Sequence, residues 1–323
     1  MERKFMACLN NIENWLNIKK TFALSIAILM LSAFIPVSTC FSGQLDEDKL
    51  FSAVCERLKE EKKIEGLTPK DLSLNKKVPI KVGNLSLWAV GILIKMKSSD
   101  NKPVNAYLNL VTDDKGQLQF ENVTDIKTGK PLLERALAEI TRVDINTKIG
   151  WPIFQGKGEK AVVVITDNFC PYCRTSYEVF QKVYSEKVKE VIFIYLPHNK
   201  LHPGSELACA VSAYVHNNKE LQKYAKQVDD FIYQDLNVPK SKVADEADSE
   251  VYEAVKARFP WFAQKFSGLT MKKAFEKLKA GSNIEEQKKY VASLGITGTP
   301  IMFVEGMRID GLDWKKFERY LSY

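Results

Sequence analysis

Apolar residues recur at helical spacing in the segment that follows residue 45. Between Asp46 and Ile64, Leu50, Val54 and Leu58 fall near one face, together with Cys55. A repeat of three to four residues is typical of an amphipathic helix that packs one face on a core. The pattern therefore predicts a helix over this segment.

Alternating or mainly apolar segments come next and predict strands. They cover residues 78–82, 85–95 and 106–111. The turn at residues 113–116, Asp-Asp-Lys-Gly, leads into a short strand at residues 118–120, and a turn of this kind suits a hairpin. The region should form a small antiparallel β unit fronted by the helix.

A second helix is predicted from Pro131 to about Ile145, where leucine, alanine and isoleucine recur at helical spacing. Pro131 suits the first turn of a helix, and Gly150 and Pro152 indicate a turn after it. We therefore expect an N-terminal domain over residues 44–129 and a linker helix over residues 130–149.

The pattern changes beyond residue 150. Ala161–Ile165 and Val191–Leu196 are short continuous apolar runs, typical of strands that are buried on both faces of a sheet. Between them, a turn at Asp167–Phe169 delivers Cys170, and a helix is predicted from there to about Lys187. A strand, helix and strand of this type predict a parallel pair joined by a right-handed crossover.

The remainder of the chain is helical and then ends in a hairpin and a helix. Residues 204–293 carry helical patterns almost throughout, followed by strands at Pro300–Val304 and Met307–Ile309 and a helix at Trp314–Leu321. This order resembles the thioredoxin arrangement with an inserted helical subdomain. We predict an α/β fold (α+β overall), with a thioredoxin-like catalytic domain over residues 150–323 and its insertion at about residues 203–293.

Charge gives no indication of a nucleic-acid partner. The 323 residues include 47 Lys and Arg and 40 Asp and Glu, a net charge of +7. A nucleic-acid site should cluster its basic residues on one face or tract, but pairs such as Lys62-Lys63 and Lys76-Lys77 are too short for that. The sequence favours a solvated, lysine-rich surface.

Residues 1–43 have the pattern of a secretory signal peptide. Basic residues precede an apolar run at Phe22–Ile35, which Pro36 breaks, and small residues follow. Export to the periplasm is the prediction, and disulfides persist in that compartment. Two alternatives stay open, which are an uncleaved membrane anchor and a lipidated Cys40.

Cys170-Pro171-Tyr172-Cys173 is the strongest chemical motif. A Cys-x-x-Cys motif that follows an apolar strand and opens a helix predicts thiol–disulfide exchange. The helix N-terminus stabilises a thiolate at Cys170, so that Cys170 is the expected nucleophile and Cys173 the resolving thiol. Pro171 occupies a position whose amide would lack a partner. Tyr172 is a bulky spacer between the two cysteines, and we expect it to bind substrate together with Thr299 and Pro300.

Zinc is the alternative for these cysteines. Cys170, Cys173, His198 and His202 have the right residue types, but 24 residues separate the pairs, and the usual spacing is about 12–15. We expect the histidines to be loop residues, and we expect no metal and no cofactor. Cys55 and Cys209 should be core residues.

Gly298-Thr299-Pro300 is the second specific element. A proline that opens a central strand is unusual, and a cis Thr299–Pro300 bond would accommodate it. Pro300 would then lie against the two sulfur atoms, and the backbone of Thr299 would pair with an extended substrate. An ordinary trans proline is the alternative.

The segment 166–173, Thr-Asp-Asn-Phe-Cys-Pro-Tyr-Cys, together with 298–300, resembles the periplasmic thiol–disulfide isomerases of the DsbC/DsbG type. The resemblance implies a homodimer held by the N-terminal domain, a shared apolar cleft for exported client proteins with cysteines, and a membrane partner that keeps the dithiol reduced. Two features depart from the family: 127 positions separate Cys173 from Pro300, and the N-terminal region is large. Val164 stands where thioredoxins carry a buried acid.

Three functions follow as hypotheses. The first is an exported protein that reduces or isomerises disulfides through its Cys-Pro-Tyr-Cys dithiol. The second is a DsbA-like dithiol oxidase that donates its own disulfide. The third is a chaperone or assembly factor in which the dithiol is secondary.

Overall fold

A computed structural model describes residues 43–62, 64, 66–97 and 103–323. The predicted signal peptide, with its apolar run and Cys40, lies outside the described residues except for Gly43. Among the helices that are described, none combines the length and apolar character needed to cross a membrane.

The described residues between 43 and 140 contain one α-helix and four strands before a short second α-helix. Strands β1 to β4 form one antiparallel sheet in the order β1-β2-β3-β4. The elements are α1 (Glu47–Lys62), β1 (Leu72–Val82), β2 (Leu85–Lys97), β3 (Pro103–Asp113), β4 (Gln119–Phe120) and α2 (Glu134–Ile140).

The C-terminal half contains a five-stranded sheet and a helical insertion. The elements are β5 (Trp151–Gln155), β6 (Ala161–Thr166), α3 (Pro171–Val179), β7 (Glu190–Tyr195), α4 (Ser205–Asn217), α5 (Ala225–Asp230), α6 (Ala244–Arg258), α7 (Pro260–Lys265), α8 (Met271–Gly281), α9 (Ile284–Ser293), β8 (Ile301–Val304), β9 (Met307–Asp310) and α10 (Trp314–Ser322). Helix α3 continues as a π-helical turn over Phe180–Tyr184, and a second such turn, Phe231–Asp235, follows α5.

The second sheet has the strand order β5-β7-β6-β8-β9. Strands β6 and β7 are parallel, as predicted, and the other pairs are antiparallel. Five of the six residues of β6 and of β7 are buried, which explains their continuous apolar sequences. Helices α4 to α9 fill the interval between β7 and β8, so the thioredoxin-like fold with a helical insertion is confirmed.

Strand β5 is missing from the sequence prediction. Gly150 and Pro152 suggested a turn, but residues 151–155 pair with β7 at the edge of the sheet. An edge strand accepts proline because only one side of it must donate hydrogen bonds to a neighbour. β1 also begins earlier than predicted, at Leu72, and is an edge strand that contains Pro79.

The predicted helix at residues 131–145 is shorter in the structure and ends at Ile140. The hydroxyl of Thr141 donates to the carbonyl of Leu137, and the amide of Val143 donates to the carbonyl of Gly306 at 3.0 Å. A tertiary hydrogen bond to the β8–β9 turn thus replaces the next helical one. A Cβ at Gly306 would lie 2.2 Å from the carbonyl oxygen of Val143, so this close approach requires glycine.

Each sheet has apolar clusters of its own. One cluster joins α1 to the first sheet through Leu50, Val54 and Val90, and another packs α2 on the opposite part of that sheet. The largest cluster joins the second sheet to α3 and the helical insertion. The division into domains at residues 129 and 149 remains a prediction.

Candidate active site

Cys170 and Cys173 lie where β6 delivers the chain to helix α3. Cys170 has extended backbone angles at the N-cap, and Pro171 occupies the first helical turn, where its missing amide hydrogen has no consequence. Both cysteines are free thiols in the structure. Cys170 is 5% exposed, whereas Cys173 is fully buried one turn further in.

The surroundings of Cys170 stabilise its thiolate. A hydrogen bond from Cys173 is the largest cause, and the backbone amides of Cys173 and Tyr172, together with Thr299, act in the same direction. Burial opposes them, but the pKa of Cys170 still falls from 9.0 to about 5. The unpaired amides of a helix N-terminus favour an anion at this position.

The pKa of Cys173 shifts in the opposite direction. Burial raises its pKa well above 9.0, and the neighbouring sulfur of Cys170 adds to the effect. The amide of Asp167 donates a hydrogen bond to the Sγ atom of Cys173 at 3.4 Å, which partly offsets the increase. At neutral pH this arrangement holds one thiolate at the surface edge and one protonated thiol behind it.

Thr299 and Pro300 lie across from the cysteines at the start of β8. The Thr299–Pro300 peptide bond is cis, as predicted. The Sγ atom of Cys170 lies 3.5 Å from the carbonyl oxygen of Thr299, to which it donates when it is protonated. The structure thus brings Cys170, Cys173 and Thr299 together, and Tyr172, which is 63% exposed, lies beside them on the outside of the helix. The roles of Thr299, Pro300 and Tyr172 in substrate binding remain predictions.

The histidines of the zinc alternative have other positions. The amide of His198 donates to Oδ2 of Asp167 at 2.8 Å, and His202 lies in a turn that precedes α4. Within the described ranges, no three His, Cys, Asp or Glu side chains are grouped as metal ligands. These histidines belong to the loop that follows β7, as expected.

Cys55 and Cys209 are core residues, as predicted. Both are buried, and burial raises the pKa of each thiol. Cys209 on α4 donates to Oδ1 of Asn168 at 2.8 Å. Neither cysteine has the lowered pKa of Cys170, so neither is a reactive thiol at neutral pH.

The sequence prediction treated Asp167 and Asn168 only as turn residues. In the structure both side chains are fully buried, and both bond to residues of α4. Arg174 was not predicted to take part either, yet its guanidinium donates to the carbonyl of Asn168 at 2.9 Å. The available signal was the run of three polar residues, 166–168, between a buried strand and the helix that carries the cysteines.

Comparisons with known proteins found a matching family model and solved structures that align with part of the chain. A family model described as thioredoxin matches residues 152–322. No curated protein gives a significant match. Solved structures that align include BdbD from Bacillus subtilis (14% identity, 56% of this chain and 96% of that chain, TM-score 0.39). Others are a disulfide interchange protein from Neisseria gonorrhoeae (17%, 55% and 96%, 0.35) and ScsC from Proteus mirabilis (18%, 55% and 73%, 0.36).

Proposed function

The chain belongs to the thioredoxin family, and we propose that it reduces or isomerises disulfide bonds of other exported proteins through Cys170 and Cys173. Its general class is thiol–disulfide oxidoreductase. The observation that carries the proposal is the opposite shift of two neighbouring thiol pKa values, to about 5 at Cys170 and well above 9.0 at Cys173.

The first step of the reaction uses the thiolate of Cys170. Its Sγ atom attacks one sulfur of a client disulfide, a mixed disulfide forms, and the other client sulfur leaves as a thiolate. Because Cys170 is deprotonated at neutral pH, no base is needed for this step. We propose that the backbone of Thr299, next to the sulfur, pairs with an extended client segment.

The second step has two outcomes. In reduction, Cys173 loses its proton, attacks Sγ of Cys170 and releases the client thiolate, so that the dithiol is oxidised by two electrons and the client disulfide is reduced. In isomerisation, another client thiol attacks the mixed disulfide and Cys170 leaves as a thiolate. The buried, protonated state of Cys173 favours isomerisation because it delays the competing attack.

A DsbA-like oxidase is the second candidate, and one observation favours it. A lowered pKa at Cys170 stabilises the reduced dithiol, and a stabilised reduced form makes the corresponding disulfide more oxidising. The same stabilisation also keeps the dithiol reduced when a donor supplies electrons. The direction therefore depends on the redox state that the cell maintains.

Thiol trapping in the native cell distinguishes the two directions. Alkylation before lysis, in a Cys55→Ser, Cys209→Ser background, reports the redox state of Cys170 and Cys173 in the mature chain. A variant that also carries Cys170→Ser and Cys173→Ser gives the gel mobility of the unmodified chain. A reductase or isomerase is mainly reduced, whereas a protein that is mainly oxidised would be an oxidase. A chaperone with a secondary dithiol would instead keep its client protection after Cys170→Ser.

Further parts of the proposal concern location and assembly. The apolar run at residues 22–35 supports export to the periplasm, where a membrane partner would return electrons to the dithiol. Fractionation of cells that express the full chain tests this location. A full chain that stays in the cytoplasm would contradict it.

We also propose a homodimer through the N-terminal sheet, as in the DsbC/DsbG type. Among the described residues, positions 103–110 of β3 pair with β2 alone, and an open strand edge can pair with a second chain. Val104 is exposed on this edge. Sedimentation should give a dimer for the wild type and a monomer for Val104→Lys, and a monomeric wild type would refute the assembly.

A further inference from the structure

Residues 166–168 form a buried polar segment immediately before the active-site helix. Thr166, Asp167 and Asn168 are all fully buried. Burial of polar groups is unfavourable unless they are hydrogen-bonded. All three side chains are bonded to the helical insertion, with Thr166 paired to Tyr233 at 3.1 Å and Asn168 to Cys209 at 2.8 Å. The insertion therefore holds the segment that delivers the cysteines.

Asp167 has the densest set of contacts in this segment. Its Oδ1 atom accepts the hydroxyl of Ser205 at 2.6 Å and the amide of Phe169 at 2.8 Å, and its Oδ2 atom accepts the amide of His198 at 2.8 Å. Three donors satisfy the carboxylate, and they come from α4, from the active-site turn and from the loop after β7. One side chain thus joins the three segments around the site.

The backbone of Asp167 reaches the resolving cysteine directly. Its amide donates to Sγ of Cys173 at 3.4 Å, and its carbonyl accepts the amide of Cys170 at 3.2 Å. An N–H group directed at sulfur stabilises a thiolate more than a thiol. Cys173 must pass through the thiolate when it attacks the mixed disulfide, so this amide acts on the second step.

We propose that Asp167 is a positioning residue for release of the client: its carboxylate fixes the turn so that its own amide stabilises Cys173 during attack on the mixed disulfide. The inference rests on the proposed roles of Cys170 and Cys173. In this step the Cys173 thiol gives its proton to water, its Sγ bonds to Sγ of Cys170, and the bond from Cys170 to the client sulfur breaks. The client thiolate takes the electron pair of that bond.

Formation of the mixed disulfide by Cys170, here called capture, should not depend on Asp167. The groups that stabilise the Cys170 thiolate are Cys173, the amides of Cys173 and Tyr172, and Thr299, all of which follow Cys170 in the chain. A general loosening of the fold would slow both steps. A positioning role predicts that only the second step is slowed.

Rapid-quench mass spectrometry with dithiobis(nitrobenzoate) as the disulfide separates the two steps. The rate at which free Cys170 is lost measures capture, and the lifetime of the nitrothiobenzoate adduct measures resolution by Cys173. In Asp167→Asn we expect the adduct lifetime to lengthen by about tenfold, the effect of one weakened hydrogen bond to a charged sulfur. The capture rate should stay within about twofold of the wild type.

A matched control is Asp229→Asn, which also alters a fully buried carboxylate of the C-terminal half. Asp229 pairs with His216 at 2.7 Å, and its adduct lifetime should equal that of the wild type. Ser205→Ala removes a single donor to Asp167 and should lengthen the lifetime by about threefold. This variant serves as the test if Asp167→Asn does not fold.

Three outcomes are decisive. Unchanged adduct lifetimes in the folded variants overturn the inference. Capture slowed as strongly as resolution also overturns it, because the effect is then structural. A wild-type protein that forms neither adduct nor disulfide refutes the proposed function itself, which is a different failure.

Discussion

The Sγ atom of Cys170 lies 3.5 Å from the carbonyl oxygen of Thr299, although 129 positions separate the two residues. The contact joins the N-terminus of helix α3 to the start of β8. These elements meet because β6, which leads to Cys170, pairs with β8 in the second sheet. The pairing of two strands therefore places the nucleophile beside the backbone of Thr299.

The titration of Cys170 gives the first prediction. Ultraviolet absorbance of the thiolate should show a midpoint near pH 5 in the reduced protein, since its pKa is lowered to about 5. Cys173→Ala should raise the midpoint, because the hydrogen bond from Cys173 is the largest cause of the shift. Cys209→Ala should leave it unchanged. A wild-type midpoint near 9 would contradict the assignment of Cys170 as the nucleophile.

Tyr172 gives the second prediction, which concerns client binding. Its ring is 63% exposed beside Cys170, so Tyr172→Ala should raise KM for a peptide disulfide by about fivefold, the effect of losing ~1 kcal/mol of contact. The Cys170 titration and the melting temperature should not change. Leu118→Ala is the control, since Leu118 is 60% exposed and lies near β4, away from the thiols. Equal KM values for both variants would remove Tyr172 from the binding surface.

The active-site motif could be predicted because its signals are local in sequence. A buried strand, two cysteines three positions apart and a proline at the first helical turn all lie within residues 161–173. Gly298-Thr299-Pro300 is likewise a local pattern, and it led to the correct cis bond. The reactive cysteines and the cis peptide bond could therefore be predicted from short segments of sequence.

Other features depend on contacts between distant segments and could not be predicted. The hydroxyl of Ser205 reaches Asp167 from 38 positions away, and no periodicity specifies that pairing. Helix α2 ends at Ile140 because Val143 bonds to Gly306 in a distant turn. Such partners are determined only when the sheet and the insertion assemble.

Asp248 gives the third prediction, which concerns stability and pH. Its side chain on α6 is 6% exposed, and Oδ1 has no hydrogen-bond partner within the described part of the chain. Burial raises the pKa of Asp248 from 3.8 to about 6, Glu206 and Asp245 add to the increase, and Lys279 opposes it. Because the pKa is raised in the folded state, the protonated Asp248 carboxyl group stabilises the fold fully below pH 3.8. This contribution to stability is lost as the pH rises through 6.

Asp248→Asn should therefore increase the free energy of unfolding above pH 6 and change it little near pH 4. The expected gain at neutral pH is about 1–3 kcal/mol, from the size of the pKa shift. Urea unfolding at several pH values measures it. Glu253→Gln, at an exposed position of the same helix and outside the set of groups that shift the pKa of Asp248, is the control and should have a small effect at every pH. A destabilised Asp248→Asn at neutral pH would show that the carboxylate has a favourable partner.

The last prediction links the Cys170 thiolate to the stability of the reduced protein. The folded-state pKa of about 5 lies below the 9.0 of an unperturbed thiol, so the thiolate stabilises the fold above pH 9 and loses this contribution as the pH falls towards 5. The free energy of unfolding of the reduced wild type minus that of reduced Cys170→Ser should increase from about pH 5 to about pH 9. For one proton the slope cannot exceed ~1.4 kcal/mol per pH unit.

Comparison with Cys170→Ser removes the contributions of the other thiols from this difference. The pKa values of Cys55, Cys173 and Cys209 are all raised, so these groups affect stability only above about pH 9, outside the window. Urea unfolding of both proteins under a strong reductant measures the slope. A flat difference across the window would mean that the folded protein does not stabilise the thiolate, and Cys170 would then lack the property on which its attack on client disulfides depends.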